Sequence, residues 1–388
     1  MSEQTLIDRR ILMRNKWVYR ITGTPAVGQY LVNLGSSDAL APFPCNQSFT
    51  TVQSTINNNT VNCNVQDVIN FLIRSNDVRE LQAFNGMAPN AFDTYQKYSD
   101  ALLSNNNPNG DYAQTADNDL QPRGAFGNVA VSGNTVGDGA TAKTVDITFE
   151  TIEPVMVSPW TWANSQANSQ AIYGVTNLNF VFNIDSTGKR LFRSGNSTAF
   201  ATYGIQQVVE SELWFHFLTP HPSDLMSARN CVPYYEVPRY TQQVTVPASS
   251  TGNVISSQNF QLNMVPDKLA IFVRPVISQQ TPKTADYMLP IKKIAINWNN
   301  QSGLLASASP FHLYQYSRKA GSNQNWAEFY GAAKKATPAG GDATNVYTSG
   351  SLLMIDFATD LQLTEDWYAP GSIGKSLKNI QCTAVVCC

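Results

Sequence analysis

A chain of 388 residues with 43% hydrophobic side chains can bury a sizeable core, which excludes a generally disordered protein. Only 14% of the residues are charged and the formal net charge is −2, which excludes a broadly basic nucleic-acid-binding surface. Asn, Gln, Ser and Thr fill the polar share, a composition suited to long loops and to neutral protein–protein contact.

Residues 1–20 carry the one strong charge cluster, Arg9, Arg10, Arg14, Lys16 and Arg20, and read as a basic N-terminal arm. Two uses fit such an arm. It can touch nucleic acid or a membrane surface, or it can pack on a neighbouring subunit with its arginines paired to carboxylates; the second is preferred. No secretory leader is expected, because residues 1–21 lack an apolar stretch ending in a small-residue cleavage site. No apolar run reaches the roughly 18–20 residues of a membrane span.

Val65, Val68, Ile69 and Leu72 recur at helical spacing behind Asn64, which stands where an N-cap belongs, so a short helix is predicted there. A long polar connection follows over residues 80–139. Its Gly133, Gly137 and Gly139 imitate a phosphate-cradling loop but lack the Lys-Ser/Thr ending and lead into a strand. Period-two alternation then dominates. Val145, Ile147 and Phe149 share one face, as do Leu178, Phe180, Phe182 and Ile184, and then Val209, Ser211, Leu213, Phe215 and Phe217. Pro220, Pro222, Pro233 and Pro238 interrupt the pattern. It resumes with Phe260, Leu262 and Met264, with Leu269, Ile271 and Val273, with Ile294, Ile296 and Trp298, and with Leu353, Ile355 and Phe357. Two short helices are predicted in the second half. Ser309-Pro310 opens one at residues 311–319, and residues 325–335 form the other. The chain therefore reads as all-β with inserted helices, and nothing alternates strand with helix as a doubly wound fold would.

Three histidines and six cysteines leave little for metal or nucleophilic chemistry. His216, His221 and Cys231 fit no zinc spacing, and no framed nucleophile stands out, so no enzyme, metal or cofactor is expected.

Three stretches carry a family resemblance: ESELWFHFLTP at 210–220, VPYYEV at 232–237, and MIDFATDLQL at 354–363 followed by Pro370-Gly371. Together with two all-β halves and their long loops, they resemble the double jelly-roll major capsid proteins. That lineage includes tailless membrane-containing phages, adenovirus hexon and eukaryotic DNA viruses. The resemblance implies two jelly-roll β-barrels with long loops and a few short inserted helices. The first barrel would span residues 21–218, a Pro-rich linker 219–239, and the second barrel with a C-terminal tail 240–388. It also implies a homotrimer forming pseudo-hexagonal capsomers of an icosahedral capsid, located in the virion and assembled in the host cytoplasm or nucleus. Expected partners are other copies of the chain, a separate vertex protein, and genome or inner membrane through the basic arm. Tyr95, Tyr98, Trp160, Trp162, Tyr314, Trp326, Phe329 and Trp367 are the expected interface aromatics. A second class of function, a tandem jelly-roll carbohydrate-binding protein, would use Trp160, Trp162, Asn164 and Gln166 as a sugar platform. A jelly-roll enzyme of the cupin type ranks last, since it needs clustered histidines.

Overall fold

The computed structural model describes residues 6–34, 38–76, 128–160, 171–194, 199–218, 232, 234–247 and 252–262. It further describes residues 264–282, 284, 288–299, 301–335, 344–357, 359–361 and 378–386. The chain divides into two compact units. Described residues up to Ile69, and from 128 to Arg239, form the first; Asn70–Asn76 and those from Tyr240 onward form the second.

Burial on one side only is what makes a strand of Leu12–Gly23. Met13, Asn15, Trp17, Tyr19 and Ile21 are buried, while Arg14, Lys16, Val18, Arg20 and Thr22 remain half-exposed on the opposite face. The strand runs antiparallel between Lys143–Pro154 and Phe200–Trp214, and Val129–Ser132 extends the sheet beyond Lys143–Pro154. Lys143–Pro154 repeats the alternation, burying Val145, Ile147 and Phe149. A second sheet pairs Phe49–Ile56 with Asn59–Cys63 on one side and Leu178–Ile184 on the other. Two short ladders complete the unit, Asp38–Leu40 with Phe192–Ser194 and Leu6–Ile7 with Phe217–Leu218. Aromatic rings join the sheets. Trp17 meets Phe49 edge-on at 5.9 Å, and Tyr19 meets Phe192 at the same centroid distance.

This geometry corrects the expected arm over residues 1–20. Residues 12–20 lie in the interior of the first sheet with a strand on each side, and Met13, Trp17 and Tyr19 turn inward into the core. The expected linker is revised too. Arg239 pairs with Asp67, and the Ser158 hydroxyl donates to the Tyr235 carbonyl, so the described residues 234–239 are held by the first unit. A third revision concerns residues 209–217. The strand starts earlier, at Phe200, and register shifts at Ile205/Gln207 and Val208/Glu210 leave both Val208 and Val209 exposed.

The second unit centres on Ile291–Trp298. A register shift between Ile291 and Lys293 lets Ile291 and Ile294 both face the core with Ile296 and Trp298. This strand lies between Lys378–Val386 and Gln301–Leu304, and the other edge of Lys378–Val386 carries Asn253–Ser256 and Phe260–Leu262 in succession. Lys268–Ile271 pairs with Leu353–Asp356 as a separate ladder, whose Leu353 and Ile355 enter the same core. Trp298 stands edge-on to Phe357 at 4.6 Å.

The helix caps follow the sequence. Val65–Ser75 is helical, and the Asn64 backbone carbonyl accepts the Asp67 and Val68 N–H groups of its first turn. Pro310–Lys319 begins at Ser309, whose hydroxyl accepts the His312 backbone N–H. The helix expected over residues 325–335 is shorter. It occupies Trp326–Tyr330 under a reciprocal Asn325–Glu328 cap and stops at Gly331, whose φ of 83° ends a helix in the left-handed region. A Cβ there would also stand 2.2 Å from the Pro290 ring. Ala332–Lys335 continues as a strand paired with Thr344–Tyr347. No helix among the described residues is long and apolar enough to cross a membrane.

The Trp298–Phe357 pair sets the first expected outcome. Trp298→Ala should destabilise the second unit by about 3–5 kcal/mol through the cavity it leaves. Urea unfolding followed by tryptophan fluorescence and circular dichroism measures it, and a loss under about 1 kcal/mol would contradict this account of the core.

Candidate assembly interface

The basic residues of the N-terminal strand find their partners on the sheet itself. Arg14 lies 2.5 Å from Glu150 and 3.2 Å from both Glu210 and Glu212, carboxylates carried by the two flanking strands. Arg20 grips Asp146 through two hydrogen bonds of 2.7 and 2.8 Å. Each contact follows from antiparallel register: Arg20 stands opposite Asp146, Arg14 opposite Glu212, and Lys16 opposite both Glu150 and Glu210. The Arg20 guanidinium holds the Asp146 carboxyl below its ordinary range, and the hydrogen bond to Glu150 raises the Arg14 pKa. Arg9 is buried and donates to the Pro159 carbonyl, while the backbone N–H of Arg10 donates to Asp8. The charge cluster is therefore a paired face, and the carboxylates that answer Arg14 and Arg20 come from the same chain and not from a neighbour.

The aromatics divide into core and surface. Trp160 is buried; its indole N–H donates to Ser54 at 2.7 Å and its ring packs 5.8 Å from Phe180. Phe329 is likewise buried, at the centre of the second unit's core. Neither can serve as a contact residue, because each is already consumed by its own unit. Trp326 does reach the surface, while Tyr314 is half-buried against the second unit's core. Trp326 is 36% exposed and sits among Phe311 at 5.4 Å, Tyr314 at 5.5 Å and Tyr330 at 5.1 Å, with the Lys292 ammonium 3.5 Å over the Tyr330 ring. Tyr330 also reads as a candidate anchor from the sequence, but Phe311 does not. The signal for Phe311 is its spacing, three residues before Tyr314 on a capped helix. Tyr95, Tyr98, Trp162 and Trp367 lie outside the described residues, as do His221 and Cys231.

One buried carboxylate explains how the first unit keeps polar groups inside. Glu153 accepts from the backbone N–H groups of Cys45 and Asn46, from the Asn46 amide and from the Thr151 hydroxyl, all within 2.8–2.9 Å. Burial pushes its pKa up and these donors pull it back. The cradle fastens the Pro44–Ser48 helix to Lys143–Pro154. Among the described residues no group of three His, Cys, Asp or Glu side chains is placed to hold a metal ion.

Two sandwiches, a neutralised charged face and exposed aromatics describe a protein that works through surfaces, and comparison with known proteins agrees. The family described as Sputnik virophage major capsid protein, first domain, matches residues 1–218, and the C-terminal domain of the V20 major capsid protein matches 236–386. The chain belongs to the Sputnik virophage major capsid protein family. The putative capsid protein V20 of Sputnik virophage is 30% identical over 404 residues, covering 98% of this chain. The chain spans 65% of that relative's length. In the cryo-electron microscopy structure of the Sputnik virophage, a chain 26% identical superposes with a TM-score of 0.80 over 100% of this chain and 77% of that one. The crystal structure of the mavirus major capsid protein shares the fold at a TM-score of 0.70 and 15% identity, covering 99% of this chain and 78% of that one. The fold is thus the double jelly roll. Membership of a capsid family also sets aside the tandem lectin weighed from the sequence.

Asp146→Asn should cost less than about 1 kcal/mol at neutral pH, because both members of its pair are partly exposed. Asp146 has a depressed pKa in the fold, so its contribution is complete above the usual 3.8 and fades as pH falls through the depressed value. Urea midpoints of wild type and variant should therefore differ slightly at pH 7 and converge on acidification. A gap that widens in acid would refute the pairing.

Proposed function

We propose that this chain is the shell-forming subunit of a virophage-type capsid. Three copies form a pseudo-hexagonal capsomer, and many capsomers tile an icosahedral shell. Family membership over residues 1–218 carries the reading. Two sandwiches per chain support it physically, since three such chains give six similar lobes around one axis. Six-lobed units do not fit five-fold positions, so a separate vertex protein completes the particle. Its location is the virion, and assembly takes place inside the host cell, in the cytoplasm or the nucleus.

The chemistry of such a subunit is its contacts. Trp326, Phe311 and Tyr330, with the half-buried Tyr314 against them, are the anchors that burial has left at the surface of the second unit. The N-terminal strand is a poor genome contact, because Arg14 and Arg20 would have to give up Glu150, Glu212 and Asp146 before meeting phosphate.

Light scattering coupled to size-exclusion chromatography should give the purified chain a mass of three subunits or more, and negative-stain images should show three-fold particles or shells. A monodisperse monomer at high concentration would overturn the proposal. Trp326→Ala should leave the fold intact and weaken association by about tenfold or more, in line with loss of an aromatic anchor. Unchanged association would remove Trp326 from the interface.

A further inference from the structure

The strand Phe200–Trp214 is unlike every other strand of the first unit. It has fifteen residues and lies at the end of its sheet, bonded on one side to Leu12–Gly23. On its other side the Ile205 backbone N–H reaches the Ser186 carbonyl, and past that point no strand partner is found among the described residues. Valines stand out on successive positions, Val208 at 41% and Val209 at 42% exposure, where the register shifts. Trp214, Phe217 and Leu218 continue the row at 39–54%. Single exposed apolar residues are ordinary, but three on one edge strand, followed by two on the short strand that comes next, mark a contact surface.

Two features restrict what covers it. Register shifts at Phe200/Thr202, Ile205/Gln207 and Val208/Glu210 bend and twist the edge, which opposes the addition of another strand. Glu210 and Glu212 lie between the apolar residues and project partly into solvent. A two-fold pairing of the strand with itself, centred on Ser211, would set Glu210 of each copy against Glu212 of the other, and like charges directly opposed repel. The occupant therefore packs with side chains and presents a surface different from this one.

Resting on the capsid-subunit reading, we propose that Val208, Val209, Trp214, Phe217 and Leu218 are covered by a different surface of a second copy of this chain. Such a heterologous contact closes rings when its rotation permits, whereas a self-complementary one stops at a dimer. A capsid protein meets chiefly its own copies, and the bulges, together with glutamates that outnumber the one Arg14 they share, disfavour the same edge as the partner.

The test compares the full-length wild type, V208D/V209D and V27D, the last altering a valine that is 76% exposed elsewhere on the same unit. Light scattering reads mass, and circular dichroism melting reads folding. Wild type and V27D are expected to associate, while V208D/V209D melts normally and falls about threefold in mass to a single chain. A folded V208D/V209D that associates like wild type overturns this surface and leaves the subunit reading standing. Loss of association in V27D as well also overturns the assignment to this strand. A wild type that stays monomeric overturns the subunit reading and this contact with it. Should V208D/V209D fail to fold, hydroxyl-radical labelling of wild type decides. Labelling of Val208, Val209 and Leu218 should drop several-fold between dilute and associated samples, and equal labelling overturns the proposal.

Discussion

One-sided burial of the Leu12–Gly23 strand is the constraint from which the first unit follows. Side chains in a strand alternate with a period of two, so a slip of one residue would carry Trp17, Tyr19 and Ile21 into water and press Arg14, Lys16 and Arg20 into the core. That alternative is prohibitive, and a single register survives. With it come the alignment of Lys143–Pro154, the pairing of each arginine with a carboxylate, and the position of Trp17 over Phe49 in the facing sheet. The second unit solves the same problem with Ile291–Trp298, where a bulge adjusts the alternation so that four large apolar residues reach one side.

The outer face of the first sheet shows how little charge the fold leaves over. Arg14 serves three carboxylates and Arg20 serves one, which uses up much of the ionic character of the N-terminal region. In the assembly proposed above, contacts with other copies would draw on neutral amides, hydroxyls and exposed aromatic or aliphatic groups, which suits a chain with only 14% charged residues. Exposed ion pairs contribute little stability each, so their value here lies in fixing register and removing loose charge from a crowded surface.

Much of this architecture was legible in the residues. Val145, Ile147 and Phe149 announced a half-buried strand, Ser309-Pro310 announced a helix start, and both follow from local geometry that tertiary context does not override. Failures came where long-range partners decide. Arg9 to Arg20 look like an arm until Glu150, Glu210 and Asp146 are seen beside them, because nothing near residue 14 reveals carboxylates from the far end of the unit. Trp160 and Phe329 were taken for contact residues, since aromatic identity alone does not say whether a ring turns inward. The stretch 325–335 read as one helix, yet Gly331 fits only the left-handed turn that ends it. Leu213 and Phe215 keep the expected alternation, whereas the shift at Val208/Glu210 turns Val209 outward and Phe217 lies past the end of the strand.

The placement of Leu12–Gly23 also bears on how the chain is made. Both neighbours that flank it, Lys143–Pro154 and Phe200–Trp214, come much later in the chain. At translation rates of about 5–20 residues per second, its apolar side waits on the order of ten seconds or more for a partner. Its sheet contacts are long-range, and the strand stays unpaired until Lys143–Pro154 has been made. Chaperone capture of this strand, and clumping of chains on crowded polysomes, are therefore hazards written into the order of the strands.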